Sequence, residues 1–340
     1  MIRAAIVGLG RSGRSLVASV SGKSEEIGFV VACTRTRASA EDFCRGHKLP
    51  LVDSYEDVIR RPDIDAVVLA TPHSLHEAQV LAAIAAGKHV FVEKPLTLDL
   101  KTARGVADTA KRAGRVLAVG LNRRFHPSFV ELLARARDGR LGRIVAMVAQ
   151  HTTSTAQFVP LDNWRAAPEE APGGAFTAVG IHALDYMIAL AGRVRELRCV
   201  TARNYPGRSD DTTTIMLQFA GGASGLMFCS TATATNFEFV AYGTGGLGGI
   251  SRPDLSRLRF TPAATAAPTG QIAAEPDEIL EFSGFDTLRA ELTAFARAIA
   301  KREPYPVPIE DVLHGMAVLD AIALSARSGE TVAVGETAGP

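Results

Sequence analysis

Residues 4–13 read AAIVGLGRSG, a short apolar run followed by glycines in the pattern G-x-G-x-x-G. The apolar run predicts a buried strand and residues 12–20 predict a helix, so the glycines fall in the turn between them. In such a turn Gly8 allows a tight bend, Gly10 lets the backbone approach a pyrophosphate, and Gly13 lets helix and strand pack closely. The helix N-terminus adds free N–H groups and a positive dipole end. The stretch therefore predicts a dinucleotide site, and the alternative is a glycine-rich turn without a ligand.

The same rhythm of strand and helix continues to about residue 121. Apolar runs predict further strands at 29–34, 65–71, 88–93 and 116–121, and helical segments alternate with them at 38–47, 75–86 and 99–113. Strands that alternate with helices predict a parallel sheet covered by helices on both faces. We therefore predict a Rossmann dinucleotide-binding domain over residues 1–121.

The pattern changes after residue 122. A helix at 127–138 precedes longer segments of alternating polarity at 143–152, 196–204, 212–220, 223–231 and 236–244, with turn signals such as GTGGLGG (243–249) between them. Successive strands joined by short turns predict an antiparallel sheet. The Ala/Pro/Thr-rich stretch 261–276 predicts a surface loop or a weak edge hairpin, and helices near 286–302 and 310–327 follow. We expect residues 122–340 to form a second, α/β domain for substrate binding and oligomerisation.

Composition narrows the classes of function. The 340 residues are 47% hydrophobic and 21% charged, which is typical of a globular protein of two domains. The net charge of +1 disfavours nucleic acid and anionic membranes as partners. The apolar run at the N-terminus is interrupted by Arg3 and too short for a signal peptide, and no run of about 18 apolar residues could span a membrane. Four cysteines without CxxC spacing predict reduced packing thiols, so we expect a cytoplasmic protein that binds small molecules and no metal.

The end of the second predicted strand bears on the choice of nucleotide. An NAD site places a carboxylate there for the ribose hydroxyls, but the sequence is 33-CTRTR-37, with Thr34 at the expected acid position. The hydroxyl of Thr34 and the guanidinium groups of Arg35 and Arg37 would accept a 2′-phosphate that a carboxylate would repel. The stretch predicts NADP as the preferred cofactor, with NAD possible. The alternative is that both arginines are solvated loop charges.

The fourth predicted strand ends in 87-GKHVFVEKP-95. Sheets of this kind bind ligands at the carboxyl ends of their strands, so Lys94 is a candidate catalytic ammonium in a turn fixed by Pro95. The alternative is a surface ion pair of Glu93 and Lys94 followed by a loop proline.

A third motif, 173-GGAFTAVGIHALD-185, begins with two glycines and carries His182 and Asp185 in a predicted helix. Together with the first two motifs and the segments ATPHSLH (70–76), VGLNRRFHP (119–127), NWR (163–165) and SARSGETVAV (325–334), it resembles the Gfo/Idh/MocA family of oxidoreductases. The resemblance covers nearly the whole chain. It implies a large, open, mostly antiparallel sheet in the second domain, a face of which helps to build a homo-oligomer, here a dimer or tetramer.

The resemblance also implies roles for single residues. Cofactor contacts fall on Gly8, Gly10, Arg11, Ser12, Thr71, Pro72, His76, Glu93, Lys94, Trp164 and Arg165. Substrate contacts fall on Lys94, Arg123, Thr177, Ala178 and His182. Lys94 and His182 are implied as the groups that move the proton of the substrate hydroxyl, and the Lys94–Pro95 peptide is expected to be cis. Rival interpretations make His76 a helix-start residue and Trp164 a core residue, and only one of Arg123 and Arg124 functional.

One departure from the family pattern matters. Many members carry an Asp four residues before the histidine, and Ala178 occupies that position here. Lys94 and His182 could suffice, the substrate could supply a carboxylate or hydroxyl of its own, or the protein could do different chemistry or none. Asp185 could orient His182 or be a helix-start charge. The resemblance thus implies an oxidoreductase acting on a sugar, cyclic polyol or cis-diol in carbohydrate metabolism, and the CTRTR stretch adds the preference for NADP. The alternatives are a silent cofactor-binding sensor or scaffold, and an enzyme that recycles a tightly held cofactor within one turnover.

Overall fold

The structure is a computed structural model that describes residues 1–266, 272–273 and 275–335. Its strands, in chain order, are β1 (Ile2–Val7), β2 (Ile27–Cys33), β3 (Leu51–Val52), β4 (Ala66–Leu69), β5 (His89–Glu93), β6 (Leu117–Gly120), β7 (Ile144–Thr152), β8 (Val194–Ala202), β9 (Thr212–Phe219), β10 (Ser224–Ser230), β11 (Asn236–Gly243), β12 (Gly246–Ser251), β13 (Arg257–Pro262), β14 (Thr265–Ala266), β15 (Ile272–Ala273), β16 (Glu278–Glu281) and β17 (Val332–Ala333). Its α-helices are α1 (Arg11–Val20), α2 (Glu41–Gly46), α3 (Tyr55–Ile59), α4 (His76–Ala85), α5 (Leu100–Arg112), α6 (Pro127–Arg137), α7 (Ile181–Ala191), α8 (Thr287–Ile299) and α9 (Ile309–Ser328). Two compact units share these elements.

The first unit contains Met1–Asn122 and Asp286–Met316. Its six strands form one parallel sheet in the order β3-β2-β1-β4-β5-β6, which confirms the predicted dinucleotide-binding fold. The strands are nearly continuous apolar runs because helices cover both faces of such a sheet. The carboxyl ends of β1, β4 and β5 therefore meet at one edge, where Gly8, Thr71 and Lys94 follow.

Helix α8 also belongs to this first unit. Leu292 and Phe295 of α8 lie in the same buried cluster as Ile6 and Phe91, and the rings of Phe91 and Phe295 are 5.7 Å apart. The boundary between residues 121 and 122 is predicted to separate the dinucleotide-binding domain from the substrate-binding domain. That division of roles stays a prediction. By contacts, the segment Asp286–Met316 lies with the N-terminal part of the chain.

The second unit contains Arg123–Phe285 and the described residues from Ala317 onward. Nine strands form one sheet in the order β16-β13-β12-β11-β7-β10-β9-β8-β17. Neighbouring strands pair antiparallel except β7 and β10, which are parallel, so the sheet is mostly antiparallel as predicted. A separate pair, β14 with β15, lies within the stretch predicted as a loop or weak hairpin. The rest of that prediction, on residues 267–271 and 274, lies outside the described residues.

The prediction that the glycine-rich stretch 243–249 is a turn is only partly correct. The turn is short, and strand β12 begins at Gly246. A side chain at Gly248 would place its Cβ 2.3 Å from Leu132 Cδ1 of helix α6. Glycine therefore allows the helix to approach the sheet, which is a recognised use of glycine inside a strand.

One face of the nine-stranded sheet carries exposed apolar side chains. Met216 pairs with Leu226, Leu226 with Val148, and Val148 with Val240, which makes a continuous apolar row across β9, β10, β7 and β11. Met216 is 60% exposed and Leu226 48%.

None of the described helices is long and apolar enough to cross a membrane.

Candidate functional site

The phosphate loop of the first unit has the geometry that the glycine pattern predicts. Gly8 has a φ of +92°, and a Cβ there would lie 2.5 Å from the carbonyl oxygen of Ala70. A Cβ at Gly13 would lie 1.9 Å from the carbonyl oxygen of Gly8, so helix α1 can pack against β1 only with glycine at 13. The space around Gly10 is open within 4 Å, and no side chain caps the helix that Arg11 and Ser12 begin. This loop fits a pyrophosphate held by backbone N–H groups at a helix N-terminus.

Arg14 supports this loop, and sequence reasoning missed it. Its Nε donates to the carbonyl oxygen of Leu9 at 3.0 Å, and Nη2 donates to the carbonyl oxygen of Ser39. Its guanidinium lies 5.4 Å from the centre of the Phe43 ring. Arg14 thus ties the phosphate loop to the segment after β2. An arginine one turn into the helix was the only signal in the sequence.

The two arginines after β2 differ in their surroundings. Arg37 is exposed and already paired with Asp53 and, at 3.7 Å, with Glu41. Arg35 is exposed and forms no ion pair with any residue that the structure describes. Thr34 is half-buried at the strand end. Of the residues predicted for a 2′-phosphate, Arg35 is therefore the readier cation, because Arg37 would first have to leave its carboxylates.

The turns after β4 and β5 are joined by His76. Its ring is fully buried, with Nδ1 2.9 Å from the carbonyl oxygen of Pro95 and Nε2 3.2 Å from that of Thr71. Both carbonyls only accept, so a neutral ring donates to one at a time, and the shorter contact favours a proton on Nδ1. The Lys94–Pro95 peptide is cis, as the resemblance implies. His76 therefore fixes the EKP turn against the turn that carries Thr71 and Pro72.

Glu93 lies beside a second, unpredicted acid. A Cβ at Gly120 would be 3.4 Å from Glu93 Oε2, so glycine leaves room for this carboxylate over β6. Behind it, Glu291 of α8 is 0% exposed, and within the described residues neither of its carboxyl oxygens has a hydrogen-bond partner. Burial raises the pKa of Glu291 well above its usual range, and the neighbouring Glu93 and Asp286 raise it further. Burial therefore favours the neutral, protonated form of the Glu291 carboxyl group.

A neutral buried acid makes stability depend on pH. The unfolded chain releases this proton above about pH 4.3, whereas the folded chain keeps it, so stability falls by roughly 1.4 kcal/mol per pH unit from there towards the folded pKa. Glu291→Gln removes the titration. We expect the variant to match the wild type in urea unfolding at pH 4 and to be more stable at pH 7. Exposed Glu169→Gln is the control, and a gain for Glu291→Gln that is equal at both pH values would contradict the assignment.

In the second unit, the motif 173–185 is not one regular helix. Residues Phe176–Gly180 form a π-helical turn that runs into α7. Ala178 faces outward and His182 is half-buried, whereas the intervening Val179 and Gly180 are buried. Ile181, next to His182, is half-buried as well. π-Helical turns are frequent at functional sites.

Thr177 is placed differently from its neighbour Ala178. It is fully buried, and its Oγ1 accepts a hydrogen bond from the backbone N of Gly173 at 3.1 Å. Gly173 is held in turn by Thr213, whose hydroxyl donates to its carbonyl oxygen at 3.0 Å. The predicted substrate contact of Thr177 stays a prediction, and the observed role of its side chain is to close the turn before the π-helix.

The adjacent residues Arg123 and Arg124 have separate roles. Arg124 is buried and donates two hydrogen bonds to the carboxylate of Asp185, from Nε at 2.8 Å and from Nη2 at 2.5 Å. Asp185 therefore neutralises Arg124. The sequence suggested two other roles for Asp185, which were to orient His182 or to act as a helix-start charge. Arg123 instead lies 4.6 Å from the Phe237 ring centre, with Nη2 3.2 Å from His151 Nε2. His151, whose ring centre is 6.4 Å from that of His182, was not among the predicted residues.

Trp164 and Arg165 lie together on a single helical turn. The guanidinium of Arg165 is 4.3 Å from the centre of the Trp164 ring, and Asn163 caps the turn by accepting from the backbone N of Arg165 at 3.0 Å. Trp164 is half-buried, so it is not a core residue.

Among the described residues, no group of three or more His, Cys, Asp or Glu side chains could hold a metal. All four cysteines are buried and free, which confirms them as packing thiols.

A parallel sheet with a glycine phosphate loop defines the first unit as a dinucleotide-binding domain, and comparison with known proteins identifies the family. Residues 2–121 match the oxidoreductase family with an NAD-binding Rossmann fold, and residues 129–247 match the GFO/IDH/MocA C-terminal domain. The chain belongs to the Gfo/Idh/MocA family of oxidoreductases.

Three individual relatives each share less than a third of their aligned residues with this chain. A trans-1,2-dihydrobenzene-1,2-diol dehydrogenase of Oryctolagus cuniculus is 29% identical over 226 residues, which are 66% of this chain and 67% of the relative. A levoglucosan dehydrogenase solved with NADH and levoglucosan matches with a TM-score of 0.87 and 22% identity, covering 98% of this chain and 99% of the other. An aldose-aldose oxidoreductase of Caulobacter crescentus solved with glycerol matches with a TM-score of 0.83 and 24% identity, covering 98% and 99%. These structures share the fold.

Proposed function

We propose that the protein is an NAD(P)-dependent oxidoreductase that transfers a hydride between the nicotinamide and a secondary alcohol or ketone. The observation that carries the proposal is the phosphate loop, in which only glycine fits at positions 8 and 13. Lys94 follows β5 at the same edge of the sheet, where parallel sheets bind their ligands. The bound nicotinamide supplies the hydride chemistry.

Lys94 and His182 are the proposed proton-transfer groups. Oxidation of an alcohol removes a hydride from carbon and a proton from the hydroxyl, so a positioned base is needed. Lys94 would hold the hydroxyl oxygen as a hydrogen-bond donor in its ammonium form and take up its proton in its amine form. His182 would pass the proton on, because an imidazole can accept at one nitrogen and donate from the other. The matched family positions support both roles.

The proposed substrates are sugars, cyclic polyols or cis-diols. Support for a hydroxylated ring comes from the relatives, one of which is named for a trans-1,2-dihydrobenzene-1,2-diol and another for levoglucosan. These compounds share a ring that carries neighbouring hydroxyl groups. The half-buried Trp164, stacked with Arg165, offers an apolar surface of the kind that sugar rings contact.

A substrate screen tests the proposal. Purified protein is mixed with NADP⁺ and, separately, with NAD⁺, and reduced nucleotide is followed by absorbance across sugars, inositols and dihydrodiols. The keto forms are tested with NADPH and NADH. We expect turnover with at least one of these ring compounds. Tight nucleotide binding without turnover would favour a silent sensor, a candidate that Ala178 motivates. Nucleotide retained through purification with product but no net absorbance change would favour internal recycling.

NADP is the proposed preferred cofactor. Arg35, which is exposed and unpaired among the described residues, would contact the 2′-phosphate beside Thr34. We expect a lower Kd for NADP⁺ than for NAD⁺, and Arg35→Ala should weaken NADP⁺ about tenfold, the loss of one charge-assisted contact, with little effect on NAD⁺. Arg45→Ala, another exposed arginine of this unit, is the control. Tighter binding of NAD⁺ by the wild type would show the cofactor assignment to be wrong.

A homo-oligomer is proposed through the exposed face of the nine-stranded sheet. The apolar row through Met216 and Leu226, extended by exposed Val200, Phe228 and Tyr242, is the kind of patch that marks an interface. A second copy of the same face fits it because symmetric interfaces are self-complementary. Sedimentation of the wild type and of Met216→Lys tests this: the wild type should be a dimer or tetramer and the variant smaller.

A further inference from the structure

Arg123 is a half-buried cation without a counter-ion among the described residues. It forms no ion pair with any described residue, and burial lowers the pKa of its guanidinium below the usual value. Its Nη1 is enclosed, and no atom of the described residues accepts a hydrogen bond from it. The next residue, Arg124, shows how this unit treats an ordinary buried arginine, because Asp185 neutralises it with two hydrogen bonds. Leaving a buried charge uncompensated is costly, so a missing anion is the simplest explanation of Arg123.

His151 holds this cation in one orientation. The carbonyl oxygen of Val179 only accepts, so the 2.8 Å contact places the proton of His151 on Nδ1. Nε2 is then an acceptor, which matches its 3.2 Å contact with Arg123 Nη2. The carbonyl of Val179 lies in the π-helical turn, where the regular helical pattern is interrupted. His151 therefore links the segment that carries Ala178 to Arg123.

Aromatic rings complete the setting of Arg123. Its guanidinium lies 4.6 Å from the centre of the buried Phe237 ring, and that ring packs edge-on against His151 at 5.2 Å. The hydroxyl of Tyr186 donates to the backbone carbonyl of Arg123 at 2.8 Å. The backbone, ring-facing plane and one edge of this arginine are thus fixed, and Nη1 is a donor without an acceptor among the described residues.

We propose that the substrate carries a carboxylate, which the guanidinium of Arg123 binds and which replaces the carboxylate missing at Ala178. The inference rests on the proposed function and narrows its substrate class to hydroxy acids of the sugar or polyol type. Arg123 is the specificity-determining residue and His151 its positioning residue. A carboxylate suits the guanidinium because charge-assisted hydrogen bonds of this kind are about twice as strong as those to neutral hydroxyls.

Matched pairs of ligands test the proposal on the full-length protein loaded with NADP⁺. The pairs are glucose and glucuronate, galactose and galacturonate, and glycerol and glycerate, which differ in a CH₂OH or carboxylate group. Calorimetry gives the Kd of each, and nucleotide absorbance gives kcat and KM. We expect the acid of at least one pair to bind about tenfold or more tightly than its neutral partner. A neutral member that binds as tightly in every pair would overturn the proposal.

Variants then locate the preference. Arg123→Met keeps an apolar stem over Phe237 and should remove the preference for the acid while leaving the Kd of the neutral partner within about threefold. His151→Phe should raise KM for the acid with kcat unchanged. Arg327→Met, on an exposed position of α9, is the matched control. If Arg123→Met unfolds, Arg123→Lys keeps the charge and should retain part of the preference.

The outcomes separate this inference from the proposed function. No turnover with any compound, together with tighter binding of the acids, would refute hydride transfer and keep the carboxylate site. Turnover with an equal Kd for both members of every pair would keep the oxidoreductase and refute the site. Equal weakening of acid and neutral ligands in Arg123→Met would also refute it, because it would show general damage to the unit.

Discussion

Replacing Lys94 with alanine is expected to lower kcat by about 10²–10⁴-fold, the usual contribution of a positioned acid–base group. Lys94 follows β5 at the edge of the sheet where the phosphate loop also lies, and its peptide bond to Pro95 sits in a turn that His76 fixes. The nucleotide should still bind, because the phosphate loop follows a different strand. The measurement is kcat with the best substrate of the screen, together with the Kd of NADP⁺.

The control for this variant is Lys101→Ala, which removes an exposed lysine from the first turn of α5. It should leave both kcat and the Kd of NADP⁺ unchanged. Lys94→Met, which keeps the length of the side chain, should be as inactive as Lys94→Ala. Turnover within threefold of the wild type in either Lys94 variant would remove Lys94 from the proposed mechanism.

The parts of the fold that follow local rules were predictable from the sequence. The strand before Gly8 and the helix after it follow from an apolar run and the spacing of glycines, and the structure places them at Ile2–Val7 and Arg11–Val20. The glycine-rich strand β12 was missed because its glycines are explained by helix α6 above them, a contact distant in sequence. Patterns of neighbouring residues do not contain such information.

The candidate site divides in the same way. The glycine loop and the EKP turn are contiguous motifs, and the sequence places them directly. His151, Glu291 and Arg14 stand in ordinary strand or helix patterns, and only their tertiary surroundings distinguish them. A histidine on an alternating strand gives no sign that its ring joins an arginine to a π-helical turn. The surroundings of these three residues arise from contacts distant in sequence, which explains why the sequence did not single them out.

The ion pair of Arg124 and Asp185 should dominate the stability of the second unit. Both side chains are buried, and each of two nitrogen atoms of Arg124 meets its own carboxylate oxygen of Asp185. Removing one partner of such a pair leaves a buried charge and costs about 3–5 kcal/mol. We therefore expect Asp185→Ala to lower the urea concentration at the midpoint of unfolding strongly. Circular dichroism monitors the unfolding.

A double variant separates the charge from the packing. Arg124→Met with Asp185→Leu removes both charges and keeps apolar volume, and buried pairs replaced in this way are often neutral in stability. The double variant should therefore recover most of the loss seen in Asp185→Ala. The same comparison decides what Asp185 does for His182. If Asp185 oriented the histidine, the double variant would be stable but slow, whereas a purely structural ion pair gives a double variant whose kcat is close to that of the wild type. A double variant as unstable as Asp185→Ala would mean that packing around α7, and not the buried charge of Arg124, sets the cost.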